Sequence, residues 1–321
     1  MDERYLITGA AGFVGANVAR LLHARGEDVH VLVRAESDPW RIADLGIQRH
    51  TAGLDSMETI GRVLRDVQPT CLIHFAAYGG YLGRQVDERL MFETNVLGTW
   101  RLLQAAEAIP YRAFLNIGSS SEYGRKTAPM SEADLPEPVN VYGVSKASQT
   151  LLCQAYARMT GRPVCTVRLF SVYGPYEPWG RLVPNVVLAC LEQRPVKLAG
   201  GGRQARDFIS VTDVAEGLAR IAGSPGLSGQ IINLGTGRQT TVANLAELAK
   251  SLAGSASAIE YDALPEKGIE NPVWVADLTA LERRLGWRPE IPLEDGLARA
   301  VDWYRENRHW YRSASAGQAP A

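Results

Sequence analysis

Thr8-Gly9-Ala10-Ala11-Gly12-Phe13-Val14-Gly15 closes an apolar run that begins at Tyr5 and leads straight into Ala16-Asn17-Val18-Ala19-Arg20-Leu21-Leu22, a segment with helical patterning. Glycines between a strand and a helix permit a tight turn, close approach of the backbone to a pyrophosphate, and close packing of helix on strand. The helix N-terminus adds unpaired N–H groups and the positive end of its dipole. A lone glycine triplet says little. Flanked in this way it predicts a dinucleotide site, with Gly9, Gly12, Phe13, Val14 and Gly15 against the cofactor.

Further short apolar runs follow at Val29 to Val33, Cys71 to Phe75, Phe114 to Gly118, Val164 to Leu169 and Gln230 to Leu234, with longer helix-patterned segments between them. That alternation predicts an α/β fold, a doubly wound parallel sheet of the Rossmann kind. The runs lack polar alternation, as strands covered on both faces should. Stretches richer in Pro, Gly and Trp break the rhythm and are expected to form a second, smaller C-terminal substrate-binding lobe. The division expected is 1–173 and 207–252 for the dinucleotide-binding domain and 174–206 and 253–312 for the lobe, with 313–321 a frayed tail.

The 321 residues, 46% hydrophobic, suffice for a substantial core, and a formal charge of -1 gives no global field to attract nucleic acid or an anionic membrane. Cys71, Cys153, Cys165 and Cys190 are widely spaced, which fits reduced buried thiols. No histidine pair has metal-ligand spacing, so no catalytic metal is expected. Neither an export signal nor an apolar run near the ~20 residues of a membrane span is legible, and a cytoplasmic protein is expected.

The end of the second strand bears on the cofactor. A carboxylate there accepts from the ribose 2'-hydroxyl of NAD, whereas a 2'-phosphate needs a cation. Here apolar Val33 is followed by Arg34, whose guanidinium can hold a phosphate with two parallel bonds. NADP(H) is therefore expected over NAD(H), the other reading of Arg34 being a solvated strand-end charge.

Tyr142-Gly-Val-Ser-Lys146 opens a helix-patterned run, so tyrosine and lysine share one face at i and i+4. A nearby ammonium favours phenolate, and such a tyrosine can exchange a proton with a substrate hydroxyl or carbonyl. Ser119, at the end of a strand, can donate a hydrogen bond to the reacting oxygen. Ser119, Tyr142 and Lys146 are the candidate catalytic residues.

With these motifs in order, the chain resembles the extended short-chain dehydrogenases/reductases, in their nucleotide-sugar epimerase, dehydratase and reductase branch. The likeness runs through Leu54-Asp55 after the third strand, His74-Phe-Ala-Ala77, Asn95-Val-Leu-Gly-Thr99, Ser119 to Gly124, Arg168-Leu-Phe-Ser-Val-Tyr-Gly-Pro175, Arg206-Asp-Phe-Ile-Ser-Val-Thr-Asp213 and Leu285-Gly-Trp-Arg-Pro289. The resemblance implies that Leu54 and Asp55 flank the adenine and that Ala76, Asn95 and Phe170 lie along the cofactor. It places Tyr142 and Lys146 at the nicotinamide end, and assigns Tyr78, Ser120, Ser121, Ser171, Tyr176, Arg181 and Arg206 to the substrate. Dehydratases of this branch carry Asp-Glu directly after the catalytic Ser/Thr, where this chain has Ser120 and Ser121. Enzymes that epimerise C3 and C5 carry a cysteine and a histidine where Ser121 and Tyr176 stand. The arginine that commonly clamps the diphosphate is missing from Pro265 to Glu270, and Lys267 or Arg181 is the candidate to replace it.

The expectation is an NADPH-dependent reduction of the C4 ketone of an NDP-4-keto-6-deoxyhexose. The first alternative is an NDP-sugar 4-epimerase with retained NAD, the second a non-catalytic NADP-binding regulator. The helices after Asn95 and Tyr142 have small or apolar faces, and in resembling proteins such helices pair across a two-fold axis, so a homodimer is expected.

Overall fold

The computed structural model describes residues 3–80, 86–226, 228–265 and 272–312. The first half runs β1 (Arg4–Thr8), α1 (Phe13–Ala24), β2 (Asp28–Val33), β3 (Gln48–Thr51), α2 (Met57–Val67), β4 (Cys71–His74), α3 (Glu88–Phe92), α4 (Gly98–Ala106), β5 (Ala113–Ser119), α5 (Val141–Thr160) and β6 (Val164–Leu169). The second runs β7 (Ser171–Tyr173), α6 (Leu182–Leu191), β8 (Val196–Ala199), β9 (Ala205–Arg206), β10 (Phe208–Ser210), α7 (Val211–Gly223), β11 (Ile231–Leu234), β12 (Thr240–Thr241), α8 (Val242–Ala253), β13 (Ile259–Leu264), α9 (Thr279–Leu285), α10 (Leu293–Glu306) and α11 (His309–Arg312).

Seven strands form one sheet in the order β11-β6-β5-β4-β1-β2-β3, and every pairing in it is parallel. Side chains alternate across it: Tyr5, Ile7, Ile73 and Leu115 bury beneath α1 and α7, Leu6, Leu72 and Phe114 beneath α2, α4 and α5. This period of two explains why the strands read as unbroken apolar runs, since each face has its own helical layer. β3 is the exception, reading Gln48-Arg-His-Thr51 at the sheet edge, largely exposed, with no apolar run to announce it. Between β1 and β4 the strand order reverses, which opens a crevice at the carboxyl ends of the strands, where ligands of open α/β sheets bind.

A separate core gathers α6, α8 and α10 with β8 and β10, and two-stranded pairs β7–β10, β9–β12 and β8–β13 lie outside the main sheet. The sequence reading carries the dinucleotide-binding unit through residue 252. Packing instead gives Val242, Leu245, Ala246 and Ala249 of α8 to the second core, so the return to the sheet ends with β11. The cause is the apolar stripe of α8, which meets α6 and α10 once the chain has left the sheet edge. All four cysteines are buried and unpaired. Among the described residues no helix is long and apolar enough to cross a membrane, and no group of three or more His, Cys, Asp or Glu could hold a metal ion. Lys267 and the tail 313–321 lie outside the described residues.

Candidate active site

The glycine turn sits at the carboxyl end of β1. Gly9 has φ +71°, and a Cβ there would lie 2.6 Å from Ala76 N; a Cβ on Gly15 would lie 2.6 Å from Gly9 O. Both glycines are therefore needed to bring turn, β4 and α1 together. Gly12 caps α1 without a side-chain hydrogen bond, leaving the first-turn amides of the helix open to an anion. This cradle fits a dinucleotide pyrophosphate. Phe13 is buried and Val14 partly buried against the core beneath it.

Below the crevice a buried polar network links this turn to Lys146. Thr99 donates its hydroxyl to Asn95 O (2.7 Å), so it can only accept from His74 Nε2 (2.9 Å) and from Gln149 Nε2 (2.7 Å). His74 Nδ1 is then the acceptor of the Thr8 hydroxyl (2.7 Å), and Thr8 Oγ1 in turn accepts from Ala76 N (3.2 Å). Gln149 is left with its oxygen toward Lys146 Nζ, which also donates to Ile117 O (2.5 Å). Each direction follows from the donor and acceptor inventory of the side chains. His74 is thereby held neutral, and burial with Lys146 nearby pushes its pKa down to about 3. Burial also lowers Lys146 to about 8, opposed by the negative charge of Glu122.

Ser119 ends β5 and caps the turn Ser120–Glu122. Its Oγ accepts from Ser121 N (3.1 Å), and Glu122 Oε1 accepts from Ser119 N (2.8 Å), a capping box. The other carboxylate oxygen of Glu122 meets Arg168 Nε at 2.7 Å, with the two side chains 0% and 2% exposed. The start of α5 rests on this turn, since a Cβ on Gly143 would lie 2.5 Å from Ser121 O. On the other side, Gly80 faces the Tyr142 hydroxyl, 3.5 Å from where its Cβ would stand. Ser119, Tyr142, Lys146 and the Tyr78–Gly80 loop thus converge on one place.

The other candidates lie around this place, several of them engaged with neighbouring side chains. Both ends of the Asn95 amide are engaged, by Tyr78 N and O and by Ser145 Oγ, so this side chain clamps the Tyr78 loop. Phe170 is buried in the core. The Tyr176 ring lies against Trp40 and Trp303, beneath the Arg20 guanidinium. Leu54 packs on Gly98, Asp55 is exposed, and Ser171 joins the β7–β10 ladder through its backbone. Arg181 pairs with Glu177 at 2.8 Å. Glu177 is buried, its Oε2 lacks a partner, and burial raises its pKa to about 7 against the pull of Arg181. Ser120 Oγ accepts from Trp274 Nε1 (3.0 Å), and Arg206 stacks on the same indole. At the end of β2, Arg34 meets Glu36 at 3.3 Å, both side chains mostly exposed.

Sequence reasoning missed Gln149, Arg168, Glu177 and Trp274, and gave Glu122 no role. The capping-box spacing Ser119-x-x-Glu122 could have found Glu122. Arg168 opens the motif Arg168 to Pro175, which gave it no role, and Gln149, Glu177 and Trp274 have no local signal.

A dinucleotide cradle feeding a buried lysine beside a tyrosine and a serine is the apparatus of extended short-chain dehydrogenases/reductases, and this chain is an enzyme of that class, built for a nicotinamide dinucleotide. Residues 5–235 match the model of the NAD dependent epimerase/dehydratase family, to which the chain belongs. It is 29% identical to a probable UDP-glucuronate 4-epimerase of Rhizobium meliloti, across 97% of this chain and 98% of that protein. It is likewise 29% identical to a dTDP-glucose 4,6-dehydratase of Streptomyces griseus, with full coverage of both. The UDP-glucose 4-epimerase of Thermus thermophilus, solved with NAD, superposes with a TM-score of 0.84 at 28% identity, covering 94% of this chain and 99% of that one.

Proposed function

We propose that the protein inverts C4 of a nucleoside-diphosphate hexose, using a retained nicotinamide dinucleotide. The carrying observation is the set of groups around the reacting position. Ser119, Tyr142 and Lys146 supply one acid–base system, while the turn after Ser119 offers no second. Ser120 and Ser121 are hydroxyls, and Glu122, its one carboxylate, is committed to Arg168 and Ser119 N. Elimination of water needs a further acid and base, which argues against a dehydratase despite that relative. Two of the three relatives named above are 4-epimerases, and they support this reading over the one-way reductase expected from the sequence.

The bound nicotinamide supplies a hydride acceptor and donor. Tyr142 takes the C4 hydroxyl proton and gives it back, with the ammonium of Lys146 favouring the phenolate. Because Ser119 Oγ accepts from Ser121 N, its own hydrogen remains for the reacting oxygen. The glycines and the first-turn amides of α1 at Phe13 and Val14 would hold the cofactor.

NAD is the proposed cofactor, as in the Thermus enzyme, and Glu36 beside Arg34 would oppose a 2'-phosphate. The reductase with NADPH is the second reading, favoured by apolar Val33 and cationic Arg34 where NAD sites carry an acid. Exposed Leu97, just before α4, Trp100 on α4, and Val144 and Leu151 on α5 support a homodimer, testable by light scattering. For the activity, UDP-glucose and UDP-glucuronate are incubated with protein and trace NAD. The C4 epimer is expected without net change in nicotinamide absorbance. Stoichiometric loss of NADPH with a 4-keto-6-deoxyhexose nucleotide would instead establish the reductase.

A further inference from the structure

Lys146 is 3% exposed, and its ammonium has two hydrogen-bond partners among the described residues, Ile117 O at 2.5 Å and the side-chain oxygen of Gln149. An ammonium carries three hydrogens, so one is left over. Gln149 follows Lys146 by three residues on α5, which sets the two side chains on one face, and it is fully buried. Its amide has a single workable orientation. Turned end for end, it would set its NH2 against the ammonium and its oxygen against Thr99 Oγ1, whose one hydrogen is given to Asn95 O. Through His74, which donates to the same Thr99 oxygen, this lock reaches Thr8 at the head of the glycine turn.

A neutral acceptor directs a buried ammonium and favours the charged form over the amine. Both effects matter here, because burial pulls Lys146 down to about 8 and the groups around it give limited help. Glu122, on the turn after β5, is shared with Arg168 of β6. His74, at the end of β4, is neutral, and burial holds the Cys153 thiol of α5 protonated. We propose that Gln149 is a positioning residue that keeps Lys146 a directed ammonium, so that its third hydrogen serves Tyr142 one turn earlier on α5, an inference that rests on the acid–base reading of Tyr142 above.

The test uses the full chain with NAD present and two substitutions, Gln149→Met, which keeps the length of the side chain and removes both polar ends, and Thr99→Val, which removes the lock and leaves the amide. The phenolate of Tyr142 is read by ultraviolet difference titration, each protein against the same protein carrying Tyr142→Phe, and C4 epimerisation of UDP-glucose by its kcat across pH. Gln149→Met is expected to raise the phenolate titration by about one pH unit, the equivalent of one hydrogen bond to a charged group. At about pH 7, kcat should fall roughly tenfold with KM within about twofold, and the gap should narrow as pH rises. Thr99→Val should shift the titration the same way by less, and Thr99→Val/Gln149→Met no further than Gln149→Met alone. An unmoved titration in a folded Gln149→Met protein, or a kcat lowered equally at every pH, would overturn the proposal; should that variant not fold, an unmoved titration in Thr99→Val does so. If the titration shifts as expected while no epimer forms, the epimerase reading fails and the role of Gln149 stands.

Discussion

Beneath the cofactor cradle, Lys146, Gln149, Thr99 and His74 are each at most 3% exposed and joined in a single hydrogen-bonded series, whereas at the end of β2 Arg34 and Glu36 face each other across 3.3 Å with side chains 61% and 67% exposed. In the first region the donors and acceptors leave one arrangement, because an unpaired group there would cost more than the bond is worth. In the second, solvent and salt screen the contact and either residue can change without disturbing the fold. On the proposed reading, chemistry is set by the buried floor, and cofactor choice by an exposed edge that a few substitutions could redirect.

The largest effect is expected at the floor. Tyr142→Phe should lower turnover about 10³-fold, with calorimetric nucleotide affinity nearly unchanged; an equal loss of affinity would make the tyrosine structural. Arg168→Met, which strands Glu122 under Ser119, should cost about 3–5 kcal/mol in urea unfolding, and the double variant Glu122→Gln/Arg168→Met less. Glu177→Gln tests a second buried acid. A carboxyl raised to about 7 in the folded protein binds more protons than in the unfolded chain between pH 4.5 and 7, so the wild-type protein should lose stability as pH rises through that window. The variant should show a flatter profile and, at pH 8, be more stable by on the order of 2 kcal/mol. At the exposed edge, Arg34→Ala should move the NADP/NAD affinity ratio by less than roughly tenfold, and less again in 0.5 M salt. A larger shift would mean that Arg34 leaves Glu36 to grip a 2'-phosphate.

The parallel sheet was legible because strands covered on both faces must be apolar throughout, and the glycine cradle because Gly9 and Gly15 admit no Cβ. β3 was legible only through the resemblance, being polar and at the edge. Ser119, Tyr142 and Lys146 could be singled out by spacing, since they lie on one strand end and one helix turn. Trp274 could not, because it meets the site through a tertiary contact that no local pattern encodes, and Arg168 was quoted in a motif without its partner Glu122, a contact of the same kind. The NADP expectation rested on apolar Val33 and on Arg34, and set Glu36 and Asp38 aside as too far beyond the strand, whereas Glu36 meets Arg34 at 3.3 Å. Asn95 was placed along the cofactor, yet its amide is engaged in holding the Tyr78 loop.

The most direct test of the central claim is proton NMR of UDP-glucose and UDP-glucuronate incubated in D2O with the protein and substoichiometric NAD. The account predicts the C4 epimer at equilibrium, with no deuterium at C4, because the hydride removed there is the one returned. Absence of any epimer, together with one NADPH consumed per 4-keto-6-deoxyhexose nucleotide reduced, would contradict it.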